Sequence, residues 1–251
     1  MINILLSGCL GQMGQAITKV VGVNNDCKII CGYDVMITNT PSSSYPVYQD
    51  LAKITEDIDV IIDFSHPSAL ENVLNFAIKT KTPTVICTTG LSVGQIKLIE
   101  DAASKIPVFY SANMSLGVSL IIDLCCRAAK VLQSEFDIEV IEKHHNKKVD
   151  APSGTALAIA DAISRELEIA PVYMFDRHSH RTAREKREIG IHAVRGGTIV
   201  GEHSVIFAGL DEVIEIKHSA ASKEVFAAGA IAAARFMKGK PSGFYNMKDL
   251  I

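Results

Sequence analysis

The sequence predicts an α/β protein. Three observations carry this. Through the first 113 residues, short apolar runs alternate with stretches of helical spacing. A glycine-rich turn joins the first run to the first helix. Beyond residue 113 the order changes, and alternating strand-like segments gather between 191 and 218. Strand alternating with helix requires right-handed crossovers and a parallel sheet covered on both faces. Clustered strands imply a second sheet.

Taken in order, residues 2–7 form an apolar strand, 8–14 the glycine turn and 15–23 a helix. Residues 28–33 are again strand-like. Residues 60–64 form a buried strand flanked by Asp59 and Asp63, and 68–79 place Leu70, Val73, Leu74 and Ala77 at helical spacing. A strand over 83–87, a helix over 94–104 and a strand over 107–110 continue the alternation. A long apolar helix follows over 116–132, then a strand over 137–142, a polar turn over 144–150 and a helix over 155–167. Between 172 and 188 the chain is charged with few apolar anchors, which predicts a mobile loop. Segments 191–195, 198–208 and 212–218 alternate as antiparallel strands do. An Ala-rich helix over 223–237 comes last.

With 48% hydrophobic residues in 251, a substantial core is available. A net charge of -3 and the lack of a basic run give no sign of a nucleic-acid partner. The apolar segments 116–126 and 225–236 are too short and interrupted to span a bilayer. The first residues lack the basic region of a signal peptide. The 6 cysteines form no CxxC pair, and most lie in apolar surroundings. They read as reduced core thiols of a cytoplasmic protein, without a disulfide framework or metal site.

Gly8-Cys9-Leu10-Gly11-Gln12-Met13-Gly14 follows a strand and opens a helix. Glycines there permit a tight turn and let the backbone approach a pyrophosphate, while the helix N-terminus offers N–H groups to the phosphates. The spacing is GxxGxxG rather than GxGxxG, which alone is a weak signal. Asp34 strengthens it, standing 34 − 14 = 20 residues past the last glycine at the end of the second strand. A carboxylate at that place accepts hydrogen bonds from the adenosine ribose. Val35 and Met36 follow it where a cation would pair with a 2′-phosphate. The expected cofactor is therefore NADH or NADPH, with NADH preferred.

The run from Glu142 to Ala156, EKHHNKKVDAPSGTA, concentrates cations and a helix start. Lys148 and His145 suit an anionic substrate. Ser153, Gly154 and Thr155 stand where backbone N–H groups can bind a carboxylate. His144 is a candidate general acid, since imidazole titrates near neutral pH. Blander readings compete: a solvated histidine pair and an ordinary helix start. A metal site finds no acidic partner at ligand spacing, and Ser153 lacks the GxSxG elbow of a hydrolase nucleophile.

The same run resembles the signature of the dihydrodipicolinate reductase family, E-x-H-H-x-x-K-x-D-A-P-S-G-T-A. Four further stretches resemble that family in the right order: the glycine turn, Cys87-Thr88-Thr89-Gly90, Ser111-Ala112-Asn113-Met114-Ser115-Leu116-Gly117-Val118, and Gly196 to His203. Phe226-Ala227-Ala228-Gly229-Ala230 resembles its closing helix. The resemblance implies a Rossmann dinucleotide-binding domain over 1–113 with 223–251. It implies a second α/β domain over 114–222, with a mixed, open sheet used to build a homotetramer. It implies reduction of a small dicarboxylate on the diaminopimelate and lysine route, with loss of water and hydride delivery to ring carbon 4. His144 would then give or take a proton and Lys148 would donate a second. His145, Lys148, Ser153, Gly154 and Thr155 would hold the substrate. Gly8, Cys9, Leu10, Gly11, Gln12, Met13, Asp34, Cys87, Thr88, Thr89, Ser111, Ala112, Asn113 and Met114 would surround the cofactor. Three positions depart from the family pattern: Gln12 where a basic residue is usual, Cys87 for a glycine, and Lys223 for an arginine. Two other readings share the cofactor half, a catalytically silent nucleotide-binding module and a dehydrogenase acting on aspartate. Neither needs the histidine–lysine and DAPSGT pair.

Overall fold

The computed structural model describes residues 1–36 and 44–251. The chain divides into two compact units: Met1–Leu116 with Lys223–Ile251, and Gly117–Ser222.

Unit 1 holds a seven-stranded parallel sheet. Its strands are β1 (Ile2–Ser7), β2 (Cys27–Tyr33), β3 (Val47–Tyr48), β4 (Val60–Asp63), β5 (Thr84–Ile86), β6 (Pro107–Tyr110) and β12 (Gly243–Tyr245), in the order β12-β6-β5-β4-β1-β2-β3. Alternation along the strands feeds two cores. Ile4, Leu6, Val60 and Ile62 pack with helix α1 (Gln12–Gly22) and with α6 (Glu224–Met237), which contributes Ala227, Ala230, Ile231 and Ala234. Leu5 and Ile61 point the other way, to Leu70, Val73, Leu74 and Ala77 of α2 (Leu70–Thr80) and Ile99 and Ala102 of α3 (Val93–Ala103). A strand with both faces covered reads as a continuous apolar run, which is how β1 and β4 read. Strand order reverses beside β1, so the loops leaving β1 and β4 part at their C-terminal ends and open a crevice there. The two-residue β3 and the C-terminal β12 were not expected; each is too short to show a period of its own.

Unit 2 holds a five-stranded mixed sheet, in the order β11-β10-β7-β9-β8. Its strands are β7 (Asp137–His144), β8 (Val172–Met174), β9 (Glu188–Arg195), β10 (Gly201–Ala208) and β11 (Val213–Ala220). Ile138, Val140, Ile189, Ile191, Val205 and Phe207 face inward onto α4 (Leu116–Leu132) and α5 (Gly154–Ser164).

Two expectations need correction. The segment 191–195 is not antiparallel to its neighbour: β9 runs parallel to β7, Val140 opposite Ile191. The chain between them includes α5, and a long crossover of this kind returns a strand in the parallel sense. Residues 172–188 are not a featureless charged loop. They supply β8, parallel to β9. Arg184 donates to Asp137 at 2.9 Å, to Glu139 at 3.0 Å and to the Ile138 carbonyl at 3.1 Å. Arg177 pairs with Glu188. Guanidinium forks on strand carboxylates anchor this segment where apolar residues are scarce.

Among the described residues, no helix is long and apolar enough to cross a membrane, and no cluster of His, Cys, Asp or Glu is placed to hold a metal ion.

Candidate active site

The glycine turn follows β1. Gly8 has φ +76°, and a Cβ on it would come within 2.6 Å of the Phe64 carbonyl oxygen. Gly14 faces the carbonyl oxygens of Gly8 and Cys9 so closely that no side chain fits. These two positions require glycine, one for its backbone conformation and one for close approach. Gly11 caps α1 without a side-chain hydrogen bond, which leaves the first-turn N–H groups to an anion. Asp34 sits just past β2. Its carboxylate accepts the Leu10 N–H at 3.0 Å and the Met36 N–H at 3.0 Å. Each oxygen keeps a second lone pair for a ribose hydroxyl. A cavity of about 340 Å³ is lined by Gly8, Gly11, Asp34, Val35, Met36 and His66, among others. The shape and donor set fit an adenine dinucleotide.

A second cavity, about 290 Å³, shares the Phe64 and Ser65 wall with the first. Cys87, Thr88, Thr89, Ala112 and Met114 line it with Met13 and Phe226. Ser111 and Asn113, the chain neighbours of Ala112, are not among the lining residues; Ser111 Oγ donates to the Asn113 carbonyl at 2.7 Å, and Asn113 Oδ1 accepts the Ser115 N–H at 2.9 Å. The wall itself is organised by Asp63, which is fully buried. Asp63 accepts the Thr88 hydroxyl at 2.6 Å and the Ser65 N–H at 3.2 Å. The loops after β4 and β5 are thus tied to one carboxylate. Burial pushes the Cys9 thiol up to about 12, with Asp34 adding to the rise, and burial drives Cys87 well above the ordinary thiol range. Both are packing residues rather than nucleophiles.

In unit 2 the strand β7 runs two residues further than expected. Lys143 pairs with Glu202 of β10, and His144 with Arg195 of β9, so His144 stands on a strand rather than in a turn. Glu142 and His144 therefore share the inward face. Glu142 is fully buried. It accepts from His144 Nδ1 at 2.6 Å, from the Ser153 N–H at 2.9 Å, and from both forks of Arg195 at 2.7 Å. Burial alone would raise its carboxyl, but hydrogen bonds from Arg195, His144 and Ser153 together hold it below the usual range. It is ionised at neutral pH.

Ser153 caps α5, its hydroxyl accepting the Ala156 N–H at 3.2 Å and sharing a 3.1 Å hydrogen bond with His203 Nε2. Expected among the substrate contacts, Ser153 instead faces inward at 2% exposure, its side chain used by the helix start and by His203. Gly154 and Thr155 open the helix itself. His145 is half-buried in the loop after β7. Lys148 pairs with Asp150 at 2.8 Å. The His203 ring meets His144 edge-on, 5.3 Å between centroids. Burial, and His144 next, push His203 down to about 4, so it is neutral.

Family models described as dihydrodipicolinate reductase, N-terminus and C-terminus, match residues 2–114 and 117–251. The 4-hydroxy-tetrahydrodipicolinate reductase of Caldanaerobacter subterraneus subsp. tengcongensis is 51% identical over 251 residues, covering 100% of this chain and 98% of that protein. The chain belongs to the dihydrodipicolinate reductase family. The enzyme of the same name from Clostridium tetani is 49% identical, covering 100% of this chain and 97% of that one. Membership makes the chain an NAD(P)H-dependent oxidoreductase. The fold agrees: a dipicolinate-bound dihydrodipicolinate reductase from Paenisporosarcina sp. TG-14 superposes over 100% of both chains, with TM-score 0.83 at 24% identity. A diaminopimelate dehydrogenase from C. glutamicum covers 98% of this chain and 92% of its own with TM-score 0.59 at 17% identity, a likeness of fold.

Several residues around these cavities and the Glu142–His144 pair are not singled out as site residues from the sequence, although His203 lies in a stretch that resembles the family. Phe64, Ser65 and His66 line the two cavities yet follow an ordinary buried strand. Arg195 and His203 reach the Glu142–His144 pair from strands 53 and 50 or more residues away along the chain. Glu142 opens the signature stretch but is given no role there, because with His144 expected in a turn the strand face that the two share is not read from the sequence.

Proposed function

We propose that this chain reduces 4-hydroxy-tetrahydrodipicolinate to tetrahydrodipicolinate, with loss of water, in diaminopimelate and lysine biosynthesis, and that it uses NADH in preference to NADPH. The observation that carries the reading is the ionised Glu142 held against His144, on a chain whose relatives named for this reaction cover it from end to end.

Unit 1 is the dinucleotide-binding unit. The turn from Gly8 through Cys9, Leu10, Gly11, Gln12 and Met13 presents backbone N–H groups to the pyrophosphate, and Asp34 takes the adenosine ribose. Cys87, Thr88, Thr89, Ser111, Ala112, Asn113 and Met114 enclose the nicotinamide side. When bound, the cofactor supplies the hydride that reaches ring carbon 4. The NADH preference is supported by what borders the ribose. No Lys or Arg is among the described residues lining that cavity, Asp34 repels a 2′-phosphate, and no Lys or Arg occurs between Lys28 and Lys53.

Unit 2 binds the substrate. Gly154 and Thr155 offer helix-start N–H groups to one carboxylate, while His145 and Lys148 supply positive charge to the other. His144 and Lys148 move protons as electron density develops on the ring, which nearby cations stabilise. The sheet face opposite the core exposes Val172, Val194 and Val213. It is the surface through which this unit assembles a homotetramer, and light scattering giving a monomer would remove that assignment.

The test is a coupled assay in which pyruvate and aspartate semialdehyde are condensed in place. NADH oxidation at a kcat/KM about tenfold or more above that with NADPH is expected. A preference for NADPH would overturn the cofactor assignment, and no turnover with either would overturn the substrate.

A further inference from the structure

Glu142 has no spare capacity. Its four hydrogen bonds, all from protein donors, occupy the four lone-pair positions of a carboxylate. Arg195 grips both oxygens, so the carboxylate cannot rotate about its own axis. The Ser153 N–H fixes it from the start of α5. An ionised carboxylate only accepts, so the shared hydrogen with His144 belongs to Nδ1 of the ring. Nε2 is then the nitrogen left for chemistry. On that edge the ring lies over Gly201, where a Cβ would come within 3.1 Å of Nε2. The space that lets the ring sit in this orientation is supplied by a glycine.

The same arginine reaches further. Arg195 also donates to the Asp150 carbonyl at 2.6 Å, and Asp150 holds Lys148 at 2.8 Å. One guanidinium therefore registers both the strand that carries His144 and the loop that carries Lys148.

We propose that Glu142, clamped by Arg195 and the Ser153 N–H, is the positioning residue for His144: it fixes the ring with hydrogen on Nδ1, so that Nε2 exchanges the proton with substrate. This rests on the reading of His144 as the proton-exchanging group. The surroundings are consistent in charge. Arg195 faces the pair from β9, Lys148 and Asp150 from the loop, and His203 from β10. His203 is neutral, so it adds no repulsion to a positive charge at position 144. A proton taken up there faces the Glu142 carboxylate directly.

The experiment is a cycle of Glu142→Gln, His144→Ala and the double variant, each followed by turnover and by NADH titration. Glu142→Gln should lower kcat about 100-fold with KM changed by less than about threefold, and NADH binding should stay as in the parent. In the His144→Ala background the same substitution should cost nothing further. An equal loss in both backgrounds would show that Glu142 acts without His144 and overturn the proposal. If His144→Ala alone leaves turnover intact, the proton-exchange reading of His144 falls, and the proposal with it. A measurement on the unsubstituted protein does not depend on any variant folding. Nitrogen-15 NMR should find the His144 hydrogen on Nδ1, and a spectrum placing it on Nε2 overturns the proposal.

Discussion

The two sites of this chain are built by different physics. The glycine turn of unit 1 is made of backbone. Its specificity lies in where side chains are missing, at Gly8 and Gly14, and its one carboxylate, Asp34, is used partly to brace the turn through Leu10 and Met36. The end of β7 in unit 2 is made of side chains. Glu142, His144, Arg195, Ser153 and His203 are linked by hydrogen bonds across three strands and a helix start. A backbone site fails when volume is added; a side-chain network fails when charge is removed. On the proposed assignment, the cofactor half depends on sterics and the substrate half on charge.

Lys148→Ala removes a charge from unit 2 and should lower kcat by about 100-fold or more, with NADH affinity unchanged on titration. Next comes acid. His203 has a folded value of about 4 against an ordinary 6.5, so the unfolded chain takes up the proton first. Its contribution to stability is complete above pH 6.5 and is lost as pH falls toward 4, about 3 kcal/mol in all. Glu142, held below the usual carboxylate range, acts in the same direction at lower pH. Denaturant melts across that window should show a steeper decline for the parent than for His203→Gln, and parallel slopes would count against a buried neutral ring.

In unit 1, Gly229→Ala should cost about 1–3 kcal/mol, because its Cβ would overlap the Met114 carbonyl oxygen that α6 packs against. Thermal unfolding at fixed pH reads this, and no change in charge is involved. Smallest is Lys19→Ala, which removes an exposed 2.5 Å pair with Glu224 and should shift stability by less than about 0.5 kcal/mol.

Much of unit 1 was legible in the sequence because local chemistry dictates it. The glycine spacing and the placement of Asp34 follow from sterics within a short stretch, and the apolar runs of β1 and β4 announce a covered sheet. Unit 2 was less so. The parallel setting of β9 depends on a crossover that no local pattern encodes, and the charged stretch 172–188 hides an edge strand whose anchors, Arg177 and Arg184, find their carboxylates on other strands. In the candidate site, His144 and Lys148 stand out by residue type. Arg195 does not, because its meaning comes from Glu142, 53 residues away. Asp63 is similar: its tie to Thr88 spans 25 residues.

The division of labour is tested most directly by measuring NADH binding and coupled turnover side by side in Gly14→Ala and His144→Ala. A crossing pattern is expected. Gly14→Ala should weaken NADH about tenfold or more, while His144→Ala should bind NADH as the parent does and lose turnover by about 100-fold or more. If His144→Ala loses cofactor binding to the same degree as turnover, or Gly14→Ala binds NADH normally, the separation of a backbone-built cofactor site from a charge-built substrate site is contradicted.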